Sequence, residues 1–176
     1  MSFNFNPFPV LETDRLILRQ LTLDDTKAIF GLRTNKEINT FITRNIPNNL
    51  SETRAFIDMI SVLVEKNDGI FWVIEAKQSN YLIGTIGLRH FEVADNYAEV
   101  GYELHPDFQE RGFMSEALKE VLNFGFHNLQ LKTIEAFTHK NNIASIALLE
   151  KHQFVFQTER REDGFENNRI WKLENK

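Results

Sequence analysis

The sequence predicts an α+β domain built on a mixed β-sheet. Three observations support this class. Strand-like and helix-like segments succeed one another without a strict βαβ repeat, three strand-like runs follow each other in mid-chain, and the last of these leads almost directly into an amphipathic helix. A chain of 176 residues suits about one domain, and no Pro- or Ser-rich linker divides it. We therefore expect residues 1–176 to form a single domain.

The N-terminal part is predicted to contain one strand and two main helices. Arg15–Thr22 reads as the strand, and Thr22 is a suitable N-cap for a short helix beginning at Leu23. A second short helical piece is expected in residues 35–42, NKEINTFI. From Ser51, the expected N-cap of a longer helix, apolar residues recur at helical spacing. These apolar residues are Phe56, Ile57, Ile60, Leu63 and Val64.

The middle and C-terminal parts complete the sheet. The turns KQSN and EVADN separate three runs and predict an antiparallel meander over Ile70–Ala76, Tyr81–Phe91 and Tyr97–His105. After a turn at Gly112, helical spacing predicts a buried face of Ala117, Leu118, Val121, Leu122 and Gly125. The remaining predicted elements are a strand over Thr133–Thr138, a helix over Asn142–His152, and strands over Phe154–Glu159 and Asn168–Glu174.

The composition excludes several classes of function. The chain has no cysteine, which excludes disulfides, thiolate metal sites and a cysteine nucleophile and is typical of a reducing compartment. The five histidines are scattered, so we expect no metal. A formal net charge of −5 argues against direct nucleic-acid binding and favours a cationic substrate. Without an apolar span or a secretory-signal pattern, the chain is expected to be cytoplasmic and not membrane-bound.

The turn at Gly112, before the amphipathic helix that follows it, is predicted to hold an anion. A helix start carries unpaired N–H groups and a partial positive charge, which suit a phosphate or pyrophosphate. The N–H groups of residues 109–115 are expected to point into one space, and Gly112 lets an anion approach the backbone closely. Dinucleotide, P-loop and serine-hydrolase fingerprints are absent from the sequence.

Several segments resemble one branch of a known superfamily, in the same order along the chain. The stretch QERGFM at residues 109–114 resembles the Q/R-x-x-G-x-G/A cofactor loop of the GCN5-related N-acetyltransferases (GNAT). NIASIALLEKHQF at residues 142–154 and LETDRLILRQLTLDD at residues 11–25 are similar to segments of the ribosomal-protein-alanine (Rim-type) branch. Met114 and Gln153 depart from the family pattern, which has Gly or Ala at the first position and Gly at the second.

The resemblance implies a fold and a co-substrate. The fold is a mostly antiparallel sheet, splayed between two parallel strands and flanked by about four helices. Acetyl-CoA would lie in the splay, with its pantetheine arm along the strand that ends near His105 and its pyrophosphate on the loop. The residues implied to bind it are Leu104, His105, Gln109, Glu110, Arg111, Gly112, Phe113, Met114, Ser115 and Asn142. Asn142 is also a good N-cap for the helix that follows it.

The reaction needs a proton acceptor for the amine and a donor for the departing thiolate. Glu99 is the first candidate for the acceptor, with Glu103 and Glu135 as rivals. Leu149 stands where many family members carry the tyrosine that protonates the thiolate, so Ser145 is the expected donor. Tyr102 offers a second hydroxyl.

The sequence therefore favours an acetyl-CoA-dependent N-acetyltransferase that acts on a primary amine by direct transfer. The acceptor would be a protein N-terminus, such as that of a ribosomal protein, or a small cationic amine. A non-catalytic acyl-CoA-binding module is the alternative, because the family tyrosine is missing at Leu149. A homodimer is possible by analogy with Rim-type relatives.

Overall fold

A computed structural model describes residues 3–92 and 94–175. It contains an eight-stranded sheet and four α-helices, which confirms the α+β class. In chain order the elements are β1 (Leu11–Glu12), β2 (Leu16–Gln20), α1 (Thr26–Thr34), α2 (Leu50–Glu65), β3 (Ile70–Ala76), β4 (Tyr81–Glu92), β5 (Tyr97–Leu104), α3 (Phe113–Asn123), β6 (Thr133–His139), α4 (Ile143–Lys151), β7 (Val155–Phe156) and β8 (Asn168–Glu174). Because one sheet joins strands from both ends of the chain, we still expect residues 1–176 to form a single domain.

The strands lie in the order β1-β2-β3-β4-β5-β6-β8-β7. Neighbours are antiparallel except β5 and β6, which are parallel. These two strands pair over three residue pairs only, from Tyr97↔Thr133 to Glu99↔Glu135. Beyond Glu99 the strands separate, so the sheet is splayed in its middle as expected.

Aromatic residues of β3 show which helix covers which face of the sheet. Phe71 and Trp72 are consecutive, so their side chains point to opposite faces. The Phe71 ring meets Phe56 of α2 at a centroid distance of 6.1 Å, and the Trp72 ring meets Phe124, just after α3, at 5.5 Å. Helix α2, with α1 packed on it, therefore covers one face, and α3 covers the other.

Helix ends and periodic faces follow from local chemistry. Asn49, not Ser51, is the N-cap of α2, because its side-chain oxygen accepts the Glu52 N–H at 3.0 Å. Ser51 lies inside the first turn of the helix. In α3 the predicted apolar face is buried, and it continues to Gly125 in a π-turn over Phe124–Asn128. There the glycine lets the backbone pass close to Ile134 of β6.

One further sequence prediction needs correction, and another lies partly outside the described residues. The strand expected over Phe154–Glu159 is reduced to β7, because the chain turns after Gln157, whose carbonyl oxygen accepts the Arg160 N–H at 3.3 Å. The predicted EVADN turn includes Val93, which lies outside the described residues. Within the described residues, none of the helices is long and apolar enough to cross a membrane.

We expect Gly84→Ala to destabilise the sheet beside the splay. A Cβ atom at this position would lie 2.4 Å from the carbonyl oxygen of Glu103, so β4 and β5 would have to move apart. The free energy of unfolding, measured by urea titration, should fall by roughly 1–3 kcal/mol. Gly31→Ala in α1 is the matched control, because nothing lies within 4 Å of its added Cβ. The control should be neutral or stabilising by up to about 1 kcal/mol, and equal losses in both variants would contradict the packing argument.

Candidate active site

The splay between β5 and β6 opens a cavity of about 910 Å³. Its walls come from both strands, the loop before α3, the beginning of α4, and a segment between α1 and α2. In register across the sheet, Tyr102 shares a face with Trp72, on the α3 side, whereas Glu103 shares a face with Val73, on the α2 side. Both residues line the cavity, so it reaches both faces of the sheet.

The hydrogen-bond direction of β5 decides which backbone groups face the gap. The His105 N–H donates to the Ile83 carbonyl oxygen of β4 at 2.8 Å. Because bonding directions alternate along a strand, the Leu104 N–H points the other way, toward β6 and the cavity. The structure thus differs from the expectation for His105, whose N–H serves the sheet and which does not line the cavity. The Leu104 carbonyl oxygen accepts the side-chain amide of Gln109 at 3.0 Å.

The loop before α3 presents a run of free backbone donors. The first helical bond joins the Glu116 N–H to the Gly112 carbonyl oxygen at 3.0 Å. Among the described residues, none accepts a hydrogen bond from the N–H groups of residues 110–115. The Gln109 N–H is not part of this set, because it donates to the Pro106 carbonyl oxygen at 3.0 Å. The expected donor run therefore begins one residue later.

Two residues of this loop have left-handed backbone angles. Gly112 has φ +78° and Glu110 has φ +59°. Glycine tolerates this region freely, whereas Glu110 is held there at some conformational cost. Left-handed residues beside right-handed ones turn successive N–H groups toward one point, which is the geometry of an anion-binding nest. The loop and the N-terminus of α3 together can hold a phosphate or pyrophosphate.

An ion pair that the sequence analysis missed holds this loop in place. Arg15 reaches α3 from the segment before β2, with its Nε donating to Glu116 Oε2 at 2.6 Å and its Nη1 to the Arg111 carbonyl oxygen at 3.1 Å. Thr13 Oγ1 and the Arg15 N–H donate to the other Glu116 oxygen. Burial opposes ionisation of Glu116, but these donors outweigh it and lower its pKa. Both ends of the turn at Gly112 are thereby tied to the edge of the sheet.

The side chain of Arg111 packs on aromatic rings of the loop. Its guanidinium lies over the rings of Phe108 and Phe113, at 5.6 and 5.2 Å from the ring centres. Its Nη1 also donates to the Asp107 carbonyl oxygen at 3.4 Å. Arg111 does not line the cavity, and its N–H is one of the free backbone donors. Its part in cofactor binding stays a prediction.

The hydroxyl of Ser115 already has a partner from α4. Ser115 Oγ lies 2.9 Å from Nε2 of His152. Partial burial, together with Lys151 and Lys119 nearby, lowers the pKa of the His152 ring. The ring is therefore neutral at physiological pH, and it links the first turn of α3 to the end of α4.

The two hydroxyls considered for the thiolate meet in one hydrogen bond. Tyr102 Oη and Ser145 Oγ lie 2.8 Å apart on the α4 side of the cavity, and both residues line it. Burial raises the pKa of Tyr102 to about 12, so the phenol stays protonated at neutral pH. Asn142 caps α4 by accepting the Ser145 N–H at 3.2 Å and also lines the cavity. The cap thus sets the position of the Ser145 hydroxyl.

The carboxylates of β5 share one face of the sheet but have different surroundings. Glu103 lines the cavity, with Arg44 Nη1 2.6 Å from its Oε2 in an ion pair that lacks hydrogen-bond angles. Thr85 Oγ1 donates to the other Glu103 oxygen at 3.3 Å. Glu99 does not line the cavity; it lies where β5 and β6 still pair, 2.9 Å from Nδ1 of His90.

The third candidate carboxylate, Glu135 of β6, is buried. Both of its oxygens contact the guanidinium of Arg160, and Tyr97 Oη donates to it at 3.2 Å. It does not line the cavity. Glu135 therefore anchors the loop between β7 and β8.

An apolar wall lines the cavity on the α2 side. Ile38, Phe41 and Ile42, from the segment between α1 and α2, line it. The Phe41 ring stacks on His139 of β6 with centroids 5.3 Å apart. No group of three His, Asp or Glu side chains suited to a metal ion is found among residues 3–92 and 94–175.

Most of the predicted cofactor and donor residues come together at this cavity. Its lining includes Leu104, Gln109, Glu110, Gly112, Phe113, Met114, Ser115, Asn142 and Ser145. The role of each in binding or catalysis stays a prediction.

Comparison with known proteins identifies the family. A model of the acetyltransferase (GNAT) domain matches residues 15–155. The uncharacterized N-acetyltransferase YoaA of Bacillus subtilis (strain 168) is 38% identical over 147 residues, covering 84% of this chain and 83% of YoaA.

Solved structures share the fold. The ribosomal-protein-S5-alanine acetyltransferase of Vibrio fischeri has a TM-score of 0.82 at 18% identity, covering 95% of this chain and 97% of its own. RimL, a ribosomal L7/L12 α-N-protein acetyltransferase in complex with coenzyme A, has a TM-score of 0.82 at 16% identity, covering 94% of this chain and 98% of its own. The chain therefore belongs to the acetyltransferase (GNAT) family and is an N-acetyltransferase.

Proposed function

We propose that this N-acetyltransferase moves an acetyl group directly from acetyl-CoA to a primary amine. The observation that carries the proposal is the cavity itself, which has a nest of free amides at one end and opens on the opposite face of the sheet at the other. Acetyl-CoA would occupy the α3 and α4 side, and the amine would enter from the α2 side. Holding two reactants in line in this way supplies a large part of the acceleration of such a reaction.

The free amides of residues 110–115 would bind the pyrophosphate of coenzyme A. The pantetheine arm would follow the open edge of β5, where the Leu104 N–H is directed into the gap. The same N–H is a preorganised donor for the acetyl oxygen as it gains negative charge. Gln109 would have to release the Leu104 carbonyl oxygen before the arm can bond to it.

Glu99 is proposed to take the proton of the acceptor ammonium, through water. It lies on the same face as Gly101, which lines the cavity, and Arg89 Nε lies 3.6 Å from its carboxylate. His90, at 2.9 Å from the carboxylate and largely exposed, links Glu99 to solvent. An α-ammonium of pKa about 8 needs only a modest proton acceptor at neutral pH. Glu103 and Glu135 are weaker candidates because each is in close contact with a guanidinium, of Arg44 and Arg160 respectively. The guanidinium nearest to Glu99 lies farther away, at 3.6 Å.

Ser145 is proposed as the donor to the departing thiolate, with Tyr102 behind it. The hydrogen bond between their oxygens allows Ser145 to pass on its proton while Tyr102 supplies another. This pair offers a physical substitute for the family tyrosine, whose place is taken by the buried Leu149.

The acceptor is proposed to be a protein N-terminus or a small cationic amine. The resemblance to Rim-type sequences favours the first, since the related Vibrio fischeri and RimL structures belong to enzymes that act on ribosomal proteins. The net charge of −5 suits either. A cytoplasmic location and a homodimer complete the proposal.

This function is tested by measuring turnover with a panel of primary amines. The release of free thiol from acetyl-CoA is the signal. We expect the protein to accelerate thiol release with at least one peptide N-terminus or small amine. Glu99→Gln should retain acetyl-CoA binding and lose roughly 100-fold or more in kcat, as expected for a general base. If the wild-type protein binds acetyl-CoA tightly but transfers to no amine, the alternative of a non-catalytic acyl-CoA-binding module holds instead.

Gly112→Ala should weaken acetyl-CoA binding by roughly tenfold or more, since the loss of one or two charge-assisted hydrogen bonds costs about 1.5–3 kcal/mol. The reason is that φ +78° is unfavourable for alanine, so the loop would relax and turn its amides away. Gly164→Ala is the matched control, with φ +79° in a loop away from the cavity. Both variants should lose similar stability, and only the first should lose affinity in calorimetric titration. Equal affinities would show that the amides do not hold the cofactor.

Ser145→Ala should lower kcat by roughly 10- to 100-fold, because the thiolate would lose its proton donor. Acetyl-CoA affinity should not change, since Asn142 caps α4 through the Ser145 backbone N–H. Tyr102→Phe should show a smaller loss, and the double variant should resemble Ser145→Ala alone. Ser61→Ala, which removes a comparable helix hydroxyl in α2, is the control and should turn over normally. Unchanged initial rates in Ser145→Ala would exclude this hydroxyl from the chemistry.

A further inference from the structure

The segment that lines the cavity on the α2 side has little regular structure of its own. Residues 35–44, here called the acceptor wall, contain a single short 3-10 turn, Ile38–Thr40. Three of their apolar side chains line the cavity, as described above. The position of this wall therefore depends on contacts with the rest of the protein.

The acceptor wall spans the splay between β5 and β6. At β6 its contact is the Phe41 ring stacked on His139. At β5 its contact is Arg44, whose Nη1 lies 2.6 Å from Oε2 of Glu103. Glu103 and the Phe41–His139 stack both lie on the α2 side of the sheet. The acceptor wall therefore crosses the gap on this side and contacts both strands.

Arg44 uses its whole guanidinium for this connection. Its Nε donates to Asn39 Oδ1 at 2.8 Å, and its Nη2 to the Leu32 carbonyl oxygen at 3.4 Å. Asn39 in turn donates to the Arg33 carbonyl oxygen at 2.8 Å. One side chain thereby joins the end of α1, the short turn and β5.

The ion pair is shielded from solvent. The side chains of Arg44 and Glu103 are only 13% and 8% exposed. Burying two charges is costly, and apolar residues of similar volume often stabilise a protein as well or better. A buried pair of this kind is better explained by the arrangement that it specifies than by stability alone.

The surroundings of Glu103 argue against free participation in proton transfer. Arg44 faces one carboxylate oxygen and Thr85 donates to the other. Both oxygens are therefore committed to protein partners, although the residue lines the cavity.

We propose that Arg44 and Glu103 are positioning residues that hold the acceptor wall across the splay and so set the affinity and selectivity for the acceptor amine. They do not contact the amide nest, which lies at the other end of the cavity. The proposal rests on the function proposed above. Under this proposal, the pair affects binding of the acceptor amine and does not affect binding of acetyl-CoA.

Arg44→Lys keeps the positive charge but loses the planar guanidinium with its several N–H donors. Glu103→Gln keeps the shape of the side chain but loses the negative charge. In both variants we expect the KM for the acceptor to rise by roughly tenfold or more, with a changed ranking of amines in the panel. The kcat should change little, and the acetyl-CoA Kd should stay at the wild-type value. The double variant Arg44→Met/Glu103→Met removes both charges of the pair and leaves the neighbouring Arg33 guanidinium on the Phe56 ring. It is expected to fold, and its KM should match that of the single variants because the pair acts as one unit.

Arg19→Lys is the matched control. Arg19 also forms ion pairs, with Asp25 and Glu75, but it does not line the cavity, so its acceptor KM should be that of the wild type. Hydrogen exchange provides a readout independent of turnover: amides of residues 35–44 should exchange faster in Arg44→Lys than in the wild type or the control.

The possible outcomes separate the two proposals. A wild-type protein without transfer to any amine overturns the proposed function. An active wild type with unchanged acceptor KM in both Arg44→Lys and Glu103→Gln overturns the positioning role. Abolished kcat in Glu103→Gln with normal kcat in Arg44→Lys would also overturn it, because Glu103 would then be the proton acceptor.

Discussion

The hydrogen bonds between β5 and β6 stop after Glu99 and Glu135, and the cavity exists because they stop there. A continuous sheet would bury the backbone edge of β5 against β6 and keep its two faces apart. The early end of the pairing leaves the Leu104 N–H directed into open space and joins the two faces. The amide nest before α3 and the acceptor wall then lie at opposite ends of one passage. Each feature assigned to acetyl transfer depends on this interruption.

Features that depend on short stretches of sequence were predictable. The strands Ile70–Ala76 and Asn168–Glu174 have the predicted bounds, because β-branched and aromatic residues cluster there between clear turn signals. The buried face of α3 follows from apolar spacing. Gly112 at φ +78° is the turn that the sequence required before this helix. In contrast, nothing local distinguishes Phe154–Glu159 from a full strand, and its end is set by the turn at Gln157.

Features that depend on distant pairing were not predictable. The direction of the His105 N–H is decided by its alignment with Ile83, so alternation alone could not show whether His105 or Leu104 faces the gap. Arg15 and Glu116 lie about a hundred residues apart, and Glu116 reads as an ordinary solvent-facing residue of an amphipathic helix. Arg44 likewise gives no sign in the sequence of reaching β5. The sequence therefore locates the turn predicted to bind an anion, but it does not show which distant residues hold that turn in place.

The bond from the Gln109 side chain to the Leu104 carbonyl oxygen also bears on aggregation. A strand with unsatisfied backbone groups is a template on which other chains can add, leading to aggregates. In this protein the exposed edge is internal, recessed between two strands, and partly satisfied by the neighbouring Gln109 amide. The splay therefore creates an open strand edge without offering it to other chains as an outer edge would.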